Sequence, residues 1–208
     1  MFDYIRDPNE IYRRSFDVVR NEADLTGLPE GIDVLAERLI HACGMPDVIN
    51  DFAFGGNPAW AGREALRSGA TIIMDSEMVR AGIIKSQLSK QNKLVCTTHS
   101  TVASEAARDQ RTTRSAAAVD QWLPHISGSI IVIGNAPTAL FRLLELLAEG
   151  VASPALILGF PVGFIGAAES KEELISNAGA IPYATLRGRR GGSAMASAVL
   201  NAITSLSK

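Results

Sequence analysis

Cysteine is scarce in this chain: Cys43 and Cys96 are the only two among 208 residues. Two distant thiols form neither a C-x-x-C pair nor a disulfide scaffold, so the expected state is reduced and cytoplasmic. Histidine is nearly as rare, with His41, His99 and His125, and no His/Cys/carboxylate group has metal-ligand spacing. No G-x-x-x-x-G-K-[ST] string is present, Gly159, Gly163 and Gly166 miss the dinucleotide spacing, and there is no G-x-S-x-G elbow. Those gaps speak against a P-loop, a dinucleotide fingerprint and a serine hydrolase, and the expectation is no cofactor and no metal. The apolar runs are strand-sized, far short of the ~20 residues of a membrane span. The opening Met1–Asp7 carries neither a signal core nor transit character. A positive excess is missing too: 20 Lys and Arg face 22 Asp and Glu, for a net charge of -2. That excludes a general nucleic-acid role.

What the chain does have is apolar material, 47% of its residues, with a mean hydropathy of +0.13. A chain of this length suits one domain, expected over 1–208. Its rhythm changes near residue 68. Before that point the pattern is helical and holds no convincing strand. Asp7-Pro8 precedes Ile11, Tyr12, Phe16, Val19 and Ala23 on one helical face. A second helix runs from Pro29 to Cys43, stopped by Gly44 and Pro46, and a third lies between Pro58 and Ser68. From 69 onward, strand alternates with helix. The strands are expected at Ala70–Asp75, Lys93–Thr97, Ser129–Gly134, Ala155–Phe160 and Pro182–Arg187, each a Val/Ile/Leu run with little alternation. The expected fold is α/β: a three-layer, doubly wound, flavodoxin-like parallel sheet of five strands with extra N-terminal helices.

Ligands of such sheets gather beyond the strand C-termini. Three loops there are glycine-bearing and lead into helices: Gly134–Thr138, Gly159–Gly163 and Gly188–Ser193. Their backbone N–H groups are expected to hold anions, with Phe160, Val162 and Phe164 as apolar walls. Among the histidines, His125 reads as a solvated loop residue and His99 as a loop residue that could line a site. His41 sits in the last turn of the second helix, where the dipole favours a cation and where a proton could be lent and recovered. Position alone also fits a purely structural helix-end charge. Arg38, one turn earlier, reads either as part of a basic face or as a partner of Glu37 or Asp33. Ser15 is ambiguous by itself. Arg114, at a helix start, opposes the dipole, so an anionic partner is expected.

Several strings converge on one family. Ile40-His41-Ala42-Cys43-Gly44, Thr113-Arg114-Ser115-Ala116-Ala117-Ala118, Ile133-Gly134-Asn135-Ala136-Pro137-Thr138-Ala139-Leu140-Phe141, Gly159-Phe160-Pro161-Val162-Gly163-Phe164, Ala167-Ala168-Glu169-Ser170-Lys171 and Arg187-Gly188-Arg189-Arg190-Gly191-Gly192-Ser193-Ala194 together resemble precorrin-8X methylmutases. Tyr4-Ile5-Arg6-Asp7 and Arg14-Ser15-Phe16 are similar too, and the least distinctive stretch is 45–70. The resemblance implies a cytoplasmic, homodimeric isomerase of cobalamin biosynthesis with sites near the subunit interface. It moves a methyl group from carbon 11 to carbon 12 of precorrin-8X and gives hydrogenobyrinate. It implies His41 as the catalytic proton donor and acceptor, Ser15 and Arg38 as substrate-contacting residues, and, from the family's strongest strings, Arg114 and Asn135 as well. Two other readings of the residues stay open: a corrinoid-binding carrier without catalysis, and a flavodoxin-like FMN-binding protein. Neither needs an acid–base group at His41.

Overall fold

The fold was obtained as a computed structural model describing residues 2–206; Met1, Ser207 and Lys208, inside the expected 1–208 domain bounds, lie outside the described residues. The Asp7 carboxylate accepts the N–H groups of Asn9 and Glu10, and Pro8 needs no donor there, so α1 begins at once and spans Pro8–Glu22. Helix α2, Ile32–Cys43, runs between two left-handed glycines, Gly31 and Gly44. A 3-10 turn at Pro46–Asp51 leads into β1, Phe52–Gly55, and then α3, Pro58–Arg67. The alternating part follows: β2 (Ile72–Met74), α4 (Glu77–Gly82), β3 (Leu94–Cys96), α5 (Thr101–Asp109), α6 (Arg114–Asp120), β4 (Ile130–Ile133), α7 (Pro137–Ala148), β5 (Leu156–Gly159), α8 (Ala167–Asn177), β6 (Tyr183–Leu186) and α9 (Ser193–Leu206).

The sheet has six strands in the order β1-β6-β5-β4-β2-β3. Five of them, β2 to β6, pair in parallel at the expected places. The sixth corrects both the five-stranded expectation and the strand-free reading of residues 1–68. Strand β1 lies antiparallel to β6, with Phe52 opposite Leu186 and Gly55 opposite Tyr183. Its four residues are all half-buried, so they carry neither the apolar run of a central strand nor a two-residue alternation. Pairing with β6, more than 120 positions away, is what makes this segment a strand.

Along each parallel strand, successive side chains go to opposite faces. Ile72, Met74, Ile130, Val132, Leu156, Leu158, Ala184 and Leu186 share a core with residues of α2, α3, α4 and α9. Ile73, Ile131, Ile133, Ile157 and Tyr183 share the other core with Val119 of α6, Leu140 and Leu143 of α7, and Leu174 of α8. Both faces are covered, which is why the strands read as unbroken apolar runs. The chain enters at β2, steps outward to β3, and returns past β2 to β4. The C-terminal ends of β2 and β4 therefore flank the crevice where such sheets place ligands.

At that crevice β4 ends against the first turn of α9 with no room to spare. A Cβ on Gly134 would lie 2.7 Å from Ser193 Cα and 2.8 Å from Val79 Cγ2. Gly134→Ala should therefore destabilise the protein by roughly 1–3 kcal/mol through overpacking, read as a lower denaturation midpoint with an unchanged m-value. An unaltered midpoint would mean that α9 moves away without cost.

Candidate active site

The site grows from the packing of α1 on α2. Phe16 and Val19 are the buried face of α1, and Leu39 and Ile40 are buried on α2. This contact brings Ser15 to His41 across 26 positions of sequence: Ser15 Oγ lies 2.9 Å from His41 Nδ1. The Phe16 ring stacks on the imidazole, with centroids 4.9 Å apart and planes inclined by 18°. The ring is thus held by a hydrogen bond at one nitrogen and an aromatic face on one side. Nε2 has no partner among the described residues, and the side chain as a whole is exposed. Ile5, Ile11, Arg14, Ser15, Val18 and His41 help to line a cavity of about 370 Å³. Ile11 and Tyr12, expected on the same helical face as Phe16 and Val19, are instead exposed, Ile11 on this hollow.

Arg38 does not pair with Glu37 or Asp33. Glu37 is taken by Arg20, at 2.6 Å, and the Arg38 guanidinium lies 5.0 Å from the Tyr12 ring centroid and 4.9 Å from that of Phe16. It is a cation held by aromatic faces, with its N–H donors unengaged among the described residues. Ser15, Arg38 and His41 are thus one cluster, joined through Phe16.

The other two candidates belong to the strand ends. Thr113 Oγ1 and Thr138 Oγ1, 2.7 Å apart, tie the start of α6 to the start of α7, so Arg114 and Asn135 lie along the same edge. Both side chains are exposed and have no ion pair or hydrogen bond among the described residues. No direct contact joins them to His41. His99 is exposed after β3, whereas His125 precedes β4 and so lies at the far edge of the sheet.

Several backbone N–H groups of these loops, expected from the sequence to hold anions, are instead spent within the protein. Asp75, 1% exposed at the end of β2, accepts the N–H of Gly134 at 2.9 Å, of Asn135 at 2.9 Å and of Ala136 at 2.7 Å. Burial pushes its carboxyl above the usual aspartate range, while the three donors pull the other way. The next two loops spend N–H groups on each other: Gly192 donates to the Phe160 carbonyl at 2.8 Å and Gly163 to that of Arg189 at 3.3 Å. Phe160 itself is fully buried in the core, so of the expected apolar walls only Val162 and Phe164 are exposed.

Sequence reasoning placed Asp75 at the end of an expected strand and gave it no such role. A signal existed: the residue before α7 is Ala136, which has no side-chain acceptor, so the first N–H groups of that helix need one from elsewhere. Lys171 was also passed over. It is fully buried on α8, and its Nζ donates to the Arg190 carbonyl at 2.6 Å. Its place four residues after Ala167 and three before Leu174 marks it as inward-facing. Desolvation brings its pKa down to about 8, against smaller opposing effects of Asp51 and Glu172. Arg190 in turn bridges to Asp47 at 2.7 Å and Asp51 at 2.5 Å, which connects the loop after β6 to the turn that follows the His41 helix. Among the described residues no group of three or more His, Cys, Asp or Glu is placed to hold a metal ion, and no described helix is long and apolar enough to cross a membrane.

Two outcomes follow from these buried charges. Asp75→Ala should cost roughly 3–5 kcal/mol, because it strands three backbone donors away from water; a chemical denaturation midpoint within error of the parent protein would refute that. Lys171 binds its proton less tightly in the folded chain than in the unfolded one, so between pH 8 and 10.5 the unfolded state holds more protons. Its contribution to stability should therefore rise over that window. Compared with Lys171→Met, the parent protein should gain in melting temperature from pH 8 to pH 10.5.

A family model described as precorrin-8X methylmutase matches residues 10–206. A precorrin-8X methylmutase of Pseudomonas aeruginosa is 52% identical over 203 residues, covering 98% of this chain and 98% of that one. A protein of the same name from a Sinorhizobium species is 47% identical, covering 97% and 96%. Among solved structures, the precorrin-8X methylmutase of Thermus thermophilus superposes with a TM-score of 0.86 at 33% identity, over 96% of both chains. The match runs from α1 to α9 and includes the His41 cluster and every strand-end loop; this chain belongs to the precorrin-8X methylmutase family.

Proposed function

We propose that this protein is a precorrin-8X methylmutase, an isomerase that carries a methyl group from carbon 11 to carbon 12 of the macrocycle and yields hydrogenobyrinate. The observation that carries the residue-level reading is the fixed imidazole of His41, engaged by Ser15 at Nδ1 and stacked on Phe16 at the mouth of an apolar cavity. A methyl shift within one molecule requires no nucleophile, hydride or electron from the protein. What helps is a transient proton that moves the π-system into the migrating tautomer. In this reading His41 lends that proton through Nε2 and takes one back from the product, leaving itself unchanged. Ser15 holds the tautomer and ring orientation. Arg38, propped on Tyr12 and Phe16, and Arg114 and Asn135 at the strand ends meet the carboxylates and polar rim of the substrate.

A 370 Å³ hollow is far too small for a tetrapyrrole disc, so one chain supplies one wall. The exposed Ile11 and Val18 of α1 and the preceding Phe2 and Tyr4 suit a second copy, completing a homodimer with a site near the interface. In this reading the full chain acts as one catalytic domain in the cytoplasm, with its five parallel strands wound in flavodoxin-like order. The FMN alternative is not favoured by the strand ends: where a phosphate would meet the start of α7, the Asp75 carboxylate already takes three N–H donors. A carrier without catalysis would leave the positioned imidazole without a task.

Incubation with precorrin-8X should convert its visible spectrum to that of the conjugated product. His41→Ala should fold and bind hydrogenobyrinate while its turnover falls by about 10²–10⁴, the usual contribution of a positioned acid–base group. Near-parental turnover, or loss of binding along with turnover, would defeat that role. Arg114→Ala should weaken product binding by roughly tenfold or more in an absorbance titration, the size of one charged hydrogen bond; unchanged affinity would make Arg114 structural.

A further inference from the structure

Among the described lysines, only Lys171 has no exposed surface. A buried ammonium is costly, and its acceptor here is a main-chain carbonyl rather than a carboxylate. The anion nearest in its electrostatics, Asp51, is already engaged by the Arg190 guanidinium. A methionine of the same length would avoid the desolvation altogether. What the ammonium adds is therefore geometric, and the place where it acts is a junction of three segments.

One is the loop that carries exposed Val162, Phe164 and Ile165 after β5. Another is the Gly188–Gly192 loop after β6, and the third is the 3-10 turn at Pro46–Asp51 beyond the His41 helix. Gly192 donates to Phe160, and Gly163 accepts no slack because its N–H runs to Arg189. Gly191 is pressed so closely on the Phe160 and Pro161 carbonyls that no Cβ fits. The Arg189 guanidinium lies 5.5 Å from the Phe164 ring centroid, and Arg190 holds Asp47 and Asp51. Every one of these links passes within one or two residues of the carbonyl that Lys171 holds.

We propose that Lys171 is a positioning residue of the macrocycle site: by donating to the Arg190 carbonyl it fixes the loop after β6 against both the Phe164 loop and the turn behind His41. The site walls then keep one spacing before substrate arrives, and less ordering is left to the binding step. This rests on the reading of those loops as walls of the macrocycle site. Lys171 touches no substrate and takes no part in proton transfer.

The test uses full-length Lys171→Met at pH 7. Its melting temperature should equal or exceed that of the parent protein, since a buried charge is removed. Amide exchange should quicken in 46–51, 161–166 and 188–192 and stay unchanged in the central strands. The hydrogenobyrinate dissociation constant and the KM for precorrin-8X should both rise by roughly tenfold, with kcat altered less than about threefold. A merely structural lysine would not raise KM in a protein that is no less stable. Unchanged affinity and KM, or faster exchange spread evenly over the sheet, would overturn the proposal. If the methionine variant does not fold, Lys171→Gln, which retains an N–H donor, is read on the same measures with the same pattern expected in weaker form. The exchange pattern is independent of turnover: if the parent protein failed to convert precorrin-8X, the function would fall while the loop role of Lys171 would still be decided.

Discussion

The arrangement of the strand ends depends on one buried carboxylate. Asp75 leaves β2 and accepts the first N–H groups of the β4–α7 turn, while its own carbonyl accepts the Thr98 hydroxyl at 2.6 Å. One residue thus holds the turns after β2, β3 and β4 in register. Ionised carboxylates survive burial when their lone pairs are met by donors, and here three main-chain donors do so. The turn that would serve a doubly wound sheet as an anion cradle is made self-sufficient. Under the proposed function, contact with a ligand there falls to side chains, those of Asn135 and Arg114.

The second organising contact is of a different kind. Helices α1 and α2 meet through Phe16, Val19, Leu39 and Ile40, and the same packing places Phe16 between the concerns of structure and chemistry. The ring is buried, stacks on His41 and supports the Arg38 guanidinium. Arg38 and His41, three residues apart, share one helical face, so a single aromatic residue from α1 touches both the guanidinium and the imidazole. Losing this ring would disturb the His41 imidazole and the Arg38 guanidinium together.

Much of this was legible in the chain. Ile130–Ile133 and Leu156–Gly159 announce themselves as covered strands, because full burial on both faces erases alternation. Asp7-Pro8 and Gly44 bracket their helices through backbone chemistry alone, and the strings around His41 and Asn135 carried the family. Contacts between distant segments were not legible. Phe52–Gly55 becomes a strand only because β6 lies beside it. The N–H groups of Gly134–Ala136 looked available for a ligand until Asp75, some 60 positions earlier, was found to hold them. Phe160 reads as a site wall by its loop position, yet its ring turns into the core. In each case the local sequence states a capacity, and a remote partner decides how it is used.

Strand β1 has a consequence for how copies of this molecule can meet. It closes the β6 side of the sheet with four residues ending in glycine, and the opposite side ends in the three residues of β3. Neither border offers enough consecutive main-chain donors and acceptors to recruit another strand. Association through a shared, continuous sheet is thereby discouraged at both margins, and so is the runaway strand addition that leads to fibrils. Any lasting contact between copies is steered toward helices and loops, the surfaces on which Ile11, Val18, Phe164 and Ile165 stand exposed.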